Sequence, residues 1–171
     1  EIVKTKNIGV IKMEVYRNKE PENNFLHRVR KLANEHNIVL VFDECTSGFR
    51  KNFGGLHKLY DVEPDVAMFG KALGNGYAVT AVLGKREVMQ AAEKSFISST
   101  FWTERIGSSA ALATLKAMDK EKSWEKITST GESINKEWIK LSQEYELPIT
   151  ISGLAALTTF TFKSKNALAY K

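Results

Sequence analysis

The sequence predicts an α/β protein, a mostly parallel sheet covered by helices and followed near residue 105 by the start of a smaller α/β unit. Three observations predict it. Ile38 to Phe42 is an unbroken apolar run bounded by polar residues, the pattern of a strand covered on both faces. Upstream of it, Phe25, Leu26, Val29, Leu32 and Ala33 recur at helical spacing, and before them Asn7 to Met13 is short, apolar and β-branched. Strand, helix and strand joined by short connections form a βαβ unit, which makes the sheet parallel. Third, two long helical stretches precede two short strand-like ones at the end of the chain.

The first helix is expected to begin at Pro21-Glu22 and to end at His36-Asn37, where asparagine can act as a stop. Asp43 to Tyr60 holds Gly48, Gly54 and Gly55 without periodicity and reads as a loop with a short helical turn. Pro64-Asp65 introduces a third strand, Val66 to Phe69. Gly70 to Gly76 is a glycine-rich turn, and Ala78 to Leu83 a fourth strand. Arg86 to Ala92 reads as a short helix. The alanine-rich stretch Glu104 to Met118 suits a helix packed closely on its neighbours. Trp124 to Tyr145 is amphipathic, with Ile127, Ile134, Trp138 and Leu141 on one side, and Pro148 ends it. Ile149 to Ile151 and Leu157 to Phe162 are the strands of the second unit.

Composition narrows the class. The 171 residues are 43% hydrophobic and 26% charged, ordinary globular usage, enough to bury a core without disulfides. The mean hydropathy of −0.28 and the lack of a long uncharged apolar run argue against a membrane span. One cysteine, Cys45, cannot form an internal bridge, which fits a reducing compartment, and a cytoplasmic location is expected. The net charge of +5 raises nucleic acid as a partner. The charges alternate in sign, however, as in Lys120, Glu121, Lys122, Glu125 and Lys126, which is the pattern of a solvated helix face. Neither nucleic acid nor membrane is expected as a partner. The chain opens on Glu1 rather than Met and stops just after a strand-like stretch, so a piece of a longer protein is expected.

In open parallel sheets, ligands bind beyond the carboxyl ends of the strands. Asp43 and Glu44 follow one strand; Lys71 follows another after one glycine. A phosphate-binding P-loop fails here, since Asp65 and Ala72 stand where it needs Gly and Ser or Thr. The dinucleotide fingerprint lacks its third glycine. His27, His36 and His57 are dispersed and no Cys-x-x-Cys occurs, so no metal is expected. No G-x-S-x-G elbow is present. A lysine beside glycines at a strand end can instead form a Schiff base with the aldehyde of pyridoxal phosphate, and Asp43 can face the ring nitrogen. The alternative is that Asp43 and Lys71 form an ordinary loop ion pair. Trp102, Trp124 and Trp138 read as packing residues, His57 as a hydrogen-bonding residue of the loop, and Gly131 as a bend or separator of helices.

The segment Phe42-Asp43-Glu44-Cys45-Thr46-Ser47-Gly48-Phe49-Arg50 resembles the D-E-V-x-T-G-F-R segment of class III aminotransferases. Pro64-Asp65 followed by Gly70-Lys71-Ala72-Leu73-Gly74-Asn75-Gly76-Tyr77 resembles that family's cofactor-lysine signature, P-D-x(4)-G-K-x-L-G-x-G. Ser99-Thr100-Phe101-Trp102 and Ala110 to Leu115 are similar to its threonine loop and the helix after it. Met13-Glu14, Glu20-Pro21 and Phe25-Leu26 match the upstream strand and helix. Within the family the chain is most similar to the glutamate-1-semialdehyde aminomutase-like branch.

The resemblance implies the three-layer, mostly parallel large domain of pyridoxal-phosphate-dependent transferases, present in part. Residues 1–105 would be the C-terminal half of that domain, and 106–171 a connecting helix and the start of the small domain. It implies Lys71 as the cofactor lysine and proton carrier, Asp43 as partner of the pyridine nitrogen, and Cys45 against the ring face where the family usually has Val. Thr100 would reach the cofactor phosphate of the partner subunit in a homodimer, and Arg50 would anchor the loop. The implied reaction moves an amino group between a small-molecule amino donor and a carbonyl acceptor. Rival readings are the internal transfer of an aminomutase, and a non-catalytic assembly domain retaining the fold. Ser47 and Val15 depart from the family's Thr and Pro, and the loop Arg17-Asn18-Lys19-Glu20 carries no assigned role. Family subunits are more than twice this length, so the chain alone is expected to be inactive.

Overall fold

The computed structural model describes residue 3 and residues 6–98, 100–101 and 103–164. Ser99 and Trp102, both named above, lie outside the described residues. Four strands form one sheet in the order β1-β2-β3-β4: β1 (Val10–Glu14), β2 (Val39–Asp43), β3 (Val66–Phe69) and β4 (Ala81–Gly84). The first three are parallel, with Glu14 opposite Asp43 and Asp43 opposite Met68. The fourth runs antiparallel to β3. Residues 70–80 make that connection with only a 3-10 turn at Lys71–Leu73, and a link without a crossover helix must reverse the chain. This strand starts at Ala81 rather than at Ala78.

Helix α1 (Phe25–Glu35) joins β1 to β2. It starts later than Pro21-Glu22 because Asn23 and Asn24 take left-handed conformations, φ 52 and 53, which a right-handed helix cannot include. It stops where expected, with Asn37 at φ 52. After β4 come α2 (Arg86–Met89), which tightens into a 3-10 turn over Gln90–Lys94, and then α3 (Ile106–Glu121) and α4 (Ser123–Glu144). The Glu104 carboxylate caps α3 by accepting from the backbone N–H groups of Ile106 and Gly107. Lys122, at φ 47, breaks α3 from α4. The hairpin β5 (Ile149–Ser152) and β6 (Thr159–Phe162) follows, with the 3-10 turn Ala155–Leu157 between its strands. No helix among the described residues is long and apolar enough to cross a membrane.

Residues in register share a face of the sheet, so Leu40, Phe42, Ala67 and Phe69 line one side. Leu26 and Ala33 of α1, with Leu56 and Val62, pack on its β2 end. Ala111, Leu115 and Met118 of α3 pack on its β3 end beside Phe49 and Leu73. The opposite face carries the exposed Lys12 with Val39, Val41 and Asp43, which are only partly buried. β2 is thus fully covered on one face, where its unbroken apolar run led us to expect two. Leu154, from the turn after β5, is 5% exposed and belongs to the same core as Leu40 and Phe42. Gly131 in α4 serves close packing rather than a bend, because any Cβ there would collide with the Ala155 carbonyl. The two described tryptophans pack as expected, Trp124 on Phe53 and Trp138 edge-on to Phe160.

Asp65 ties the sheet to its surroundings. Its carboxylate accepts from Leu40 N at 2.8 Å, Arg30 Nη1 at 2.8 Å and Lys85 Nζ at 2.7 Å. Burial pushes its pKa up, but the hydrogen bonds from Leu40, Lys85 and Arg30 outweigh that and hold it below the ordinary carboxylate value. Asp65→Ala strands a mostly buried guanidinium and a buried N–H, and should cost about 3 kcal/mol. The drop in urea unfolding midpoint at constant slope measures it.

Candidate active site

β2 and β3 end side by side because they are parallel and in register. Asp43 is the last residue of β2, not the first of the loop, so the ladder fixes its backbone. Glu44 N then donates to Met68 O at 2.9 Å, and the chain turns away. One strand over, Gly70 follows β3 and Lys71 follows Gly70. Lys71 has φ 43, an uncommon conformation for a residue with a side chain. Strain of this kind concentrates at functional sites. Its Nζ donates to Thr46 Oγ1 at 2.7 Å.

The cation on Asp43 is Lys12, not Lys71. Lys12 Nζ lies 3.0 Å from Asp43 Oδ2, and Cys45 N donates to Asp43 Oδ1 at 3.2 Å. The hydrogen bond from Lys12 is the chief cause holding the Asp43 carboxyl below its ordinary value. The ordinary loop ion pair between Asp43 and Lys71 is therefore replaced by two separate contacts, Lys12 to Asp43 and Lys71 to Thr46. Cys45 is partly buried, and a Cβ built on Gly70 would stand 3.5 Å from its Sγ. Burial, and then Asp43, push the Cys45 thiol above its ordinary value, the direction of a packed thiol rather than a reactive thiolate. Asp43, Cys45, Thr46 and Lys71 thus come together at the ends of β2 and β3. Thr100 lies in an exposed turn, and among the described residues it shares no hydrogen bond with that group.

Two residues here escaped sequence reasoning. Thr46 stands in the sequence only as one residue of a motif. Glu44 reads in the sequence only as the second acid after β2. It is fully buried and accepts from Ser47 Oγ at 2.6 Å, Leu56 N at 2.9 Å, His57 N at 2.9 Å and His57 Nδ1 at 2.8 Å. Burial pulls its pKa up, but His57, Ser47 and the two backbone donors outweigh it and leave it below the ordinary value. His57 is the hydrogen-bonding loop residue expected of it, buried against this carboxylate. The signal available was an acid that cannot follow Asp43 toward the strand ends. The loop after β1 is also occupied structurally: Asn18 O accepts from Gly153 N at 3.2 Å, Lys19 pairs with Glu22, and Glu20 accepts from Tyr60 OH.

A cavity of about 960 Å³ lies between β3, β4, α3 and the loop at 49–58, and neither Asp43 nor Lys71 lines it. We place the site at the strand ends, because strained backbone, a cation-paired carboxylate and a hydroxyl-held amine converge there.

Comparison with known proteins shows the family. Residues 18–170 match the family model for class III aminotransferases. The 3-aminobutyryl-CoA aminotransferase of Cloacimonas acidaminovorans is 39% identical over 152 residues, which is 88% of this chain and 37% of that protein. The glutamate-1-semialdehyde 2,1-aminomutase of Nitrosopumilus maritimus is 35% identical over 158 residues, again 88% of this chain and 37% of that protein. The chain therefore spans about 37% of the length of these relatives. Among solved structures, the pyridoxal-phosphate internal aldimine form of the FumI protein of Sphingopyxis sp. MTA144 superposes with a TM-score of 0.89, at 23% identity over 97% of this chain and 42% of that one. The ornithine δ-aminotransferase of Plasmodium falciparum superposes at 0.82, with 23% identity over 94% of this chain and 43% of that one. With the family model covering nearly all of the sequence, the chain belongs to the class III aminotransferases.

Proposed function

We propose that this chain is the cofactor-lysine part of a pyridoxal-phosphate-dependent enzyme that moves amino groups between an amine or amino acid and a carbonyl compound. The observation that carries the reading is Lys71 and Asp43 at adjacent strand ends, each held by a separate partner. The residues present fit the cofactor. A carboxylate offers about four acceptor positions, and Lys12, Cys45 N and the Cys45 thiol use three of Asp43's, which leaves room for a ring N–H. Gly70 leaves open the space that a Cβ, 3.3 Å from Thr80 Cγ2, would fill. Bound here, pyridoxal phosphate supplies an aldehyde that takes up amines and a ring that accepts an electron pair.

The chain's own residues divide the remaining work. Lys71 Nζ would hold the cofactor and would also be the base that takes the proton from the donor's α-carbon and gives it back. Thr46 Oγ1 accepts from Nζ and so holds the amine in position. Asp43, ionised, would accept from the ring N–H. Cys45 packs on the ring face as a small apolar group. Thr100 would contact the cofactor phosphate across a homodimer. Residues 1–105 belong to the cofactor-binding unit and residues 106–171 open the smaller one. The enzyme works in the cytoplasm.

The two relatives are named for different reactions, a transamination and an internal amino transfer. A single half-reaction tests the proposal. The longest natural form of the protein, loaded with cofactor and given an amino donor without acceptor, should release about one equivalent of carbonyl product per site. Return of an isomer of the donor instead marks the aminomutase reading. Neither product marks a non-catalytic assembly domain.

A further inference from the structure

We propose that Lys12 is a positioning residue for the cofactor partner: its ammonium holds Asp43 by Oδ2 and leaves the carboxylate's free acceptor position to the ring nitrogen. The inference rests on the reading of Asp43 given above. Lys12 stands opposite Val41 in the β1–β2 ladder, two residues before Glu14 faces Asp43. Alternate residues share a face, so Lys12 and Asp43 are diagonal neighbours on the less covered side of the sheet. A lysine between Ile11 and Met13 adds nothing to the core; its side chain is 54% exposed and reaches back to Asp43 at 3.0 Å.

The other charged groups around the pair are already engaged or point elsewhere. On β1, Glu14 faces Lys12 but is taken by Arg17 at 3.0 Å. On the loop after β2, Cys45 is a thiol whose ordinary value is raised. After β3, Lys71 gives its hydrogen bond to Thr46. Lys12 is thus the cation that keeps Asp43 ionised as the solution becomes acidic, and its effect on Asp43 runs in that direction. Because the cofactor's ring N–H needs an ionised acceptor, Lys12 extends toward acid the range in which Asp43 can serve it.

The test measures pyridoxal phosphate affinity by absorbance titration from about pH 8 down to about pH 4. The longest natural form is compared with Lys12→Met, Lys12→Arg and Asp43→Asn. Lys12→Met should bind within about twofold of wild type near pH 8 and fall progressively below it as pH drops into the ordinary carboxylate range at about 4, with Lys12→Arg restoring the wild-type curve. Asp43→Asn should bind more weakly at every pH. If Lys12→Met follows wild type throughout while Asp43→Asn is weakened, the role of Lys12 is overturned and that of Asp43 stands. If Asp43→Asn binds as wild type does, the reading of Asp43 falls and the inference falls with it. Should Lys12→Met fail to fold by circular dichroism, Lys12→Gln keeps a donor without the charge, and the same two curves decide.

Discussion

Lys71→Ala should abolish covalent cofactor capture and lower amino transfer by about 10²–10⁴-fold from the lost proton carrier alone. The variant isolates chemistry from folding. Lys71 adopts φ 43, and alanine makes the same left-handed demand as lysine, so the backbone strain is unchanged. The lost side chain is exposed and its one hydrogen bond runs to Thr46 Oγ1, so no buried group is stranded. Thermal unfolding should stay within a few degrees of wild type. Lys71→Arg should fail almost as fully, since a guanidinium stays protonated and cannot attack an aldehyde. Steady-state rates and borohydride reduction, measured on the same preparations, check both variants.

Glu44→Ala should be the most destabilising single change in the loop, at about 3–5 kcal/mol. Four donors converge on a carboxylate with no solvent contact, and the substitution leaves Leu56 N, His57 N, His57 Nδ1 and Ser47 Oγ without their acceptor. Against a typical total of about 5–15 kcal/mol, that is a large fraction. The loop at 44–57 carries Thr46, which takes the Lys71 ammonium, so cofactor capture should slow although Lys71 is intact. The pH dependence follows from the sign of the shift. The folded-state value lies below the ordinary 4.5, so the contribution is complete above about pH 4.5 and is lost as pH falls through the lower folded value. Urea midpoints at neutral and acid pH should converge between wild type and Glu44→Ala.

Much of the fold was legible because local signals agreed with each other. The apolar spacing of Phe25 to Ala33 and the stop at Asn37 fixed one helix end, and the unbroken Ile38 to Phe42 run placed β2. What stayed hidden depends on partners distant in sequence. Asn23 and Asn24 delay α1 through backbone conformation, which no periodicity encodes. The reversal of β4 follows from the absence of a crossover helix in residues 70–80, visible only once the glycine turn is seen to stay short. Gly131 reads as a break until Ala155 is packed against it. At the site, Asp43 and Lys71 could be picked out as charges at strand ends. Their partners could not, because Lys12 looks like one polar residue on an apolar strand and Thr46 like one hydroxyl in a loop. Glu44 was ambiguous for the same reason, since two adjacent acids do not reveal which turns inward.

The most direct measurement incubates the longest natural form of the protein with pyridoxal phosphate, reduces it with borohydride and maps the labelled peptide. The account predicts one dominant adduct on Lys71, absent from Lys71→Ala. Label scattered over surface lysines with no preference for Lys71 would contradict it, leaving a class III aminotransferase fold without the chemistry assigned to this site.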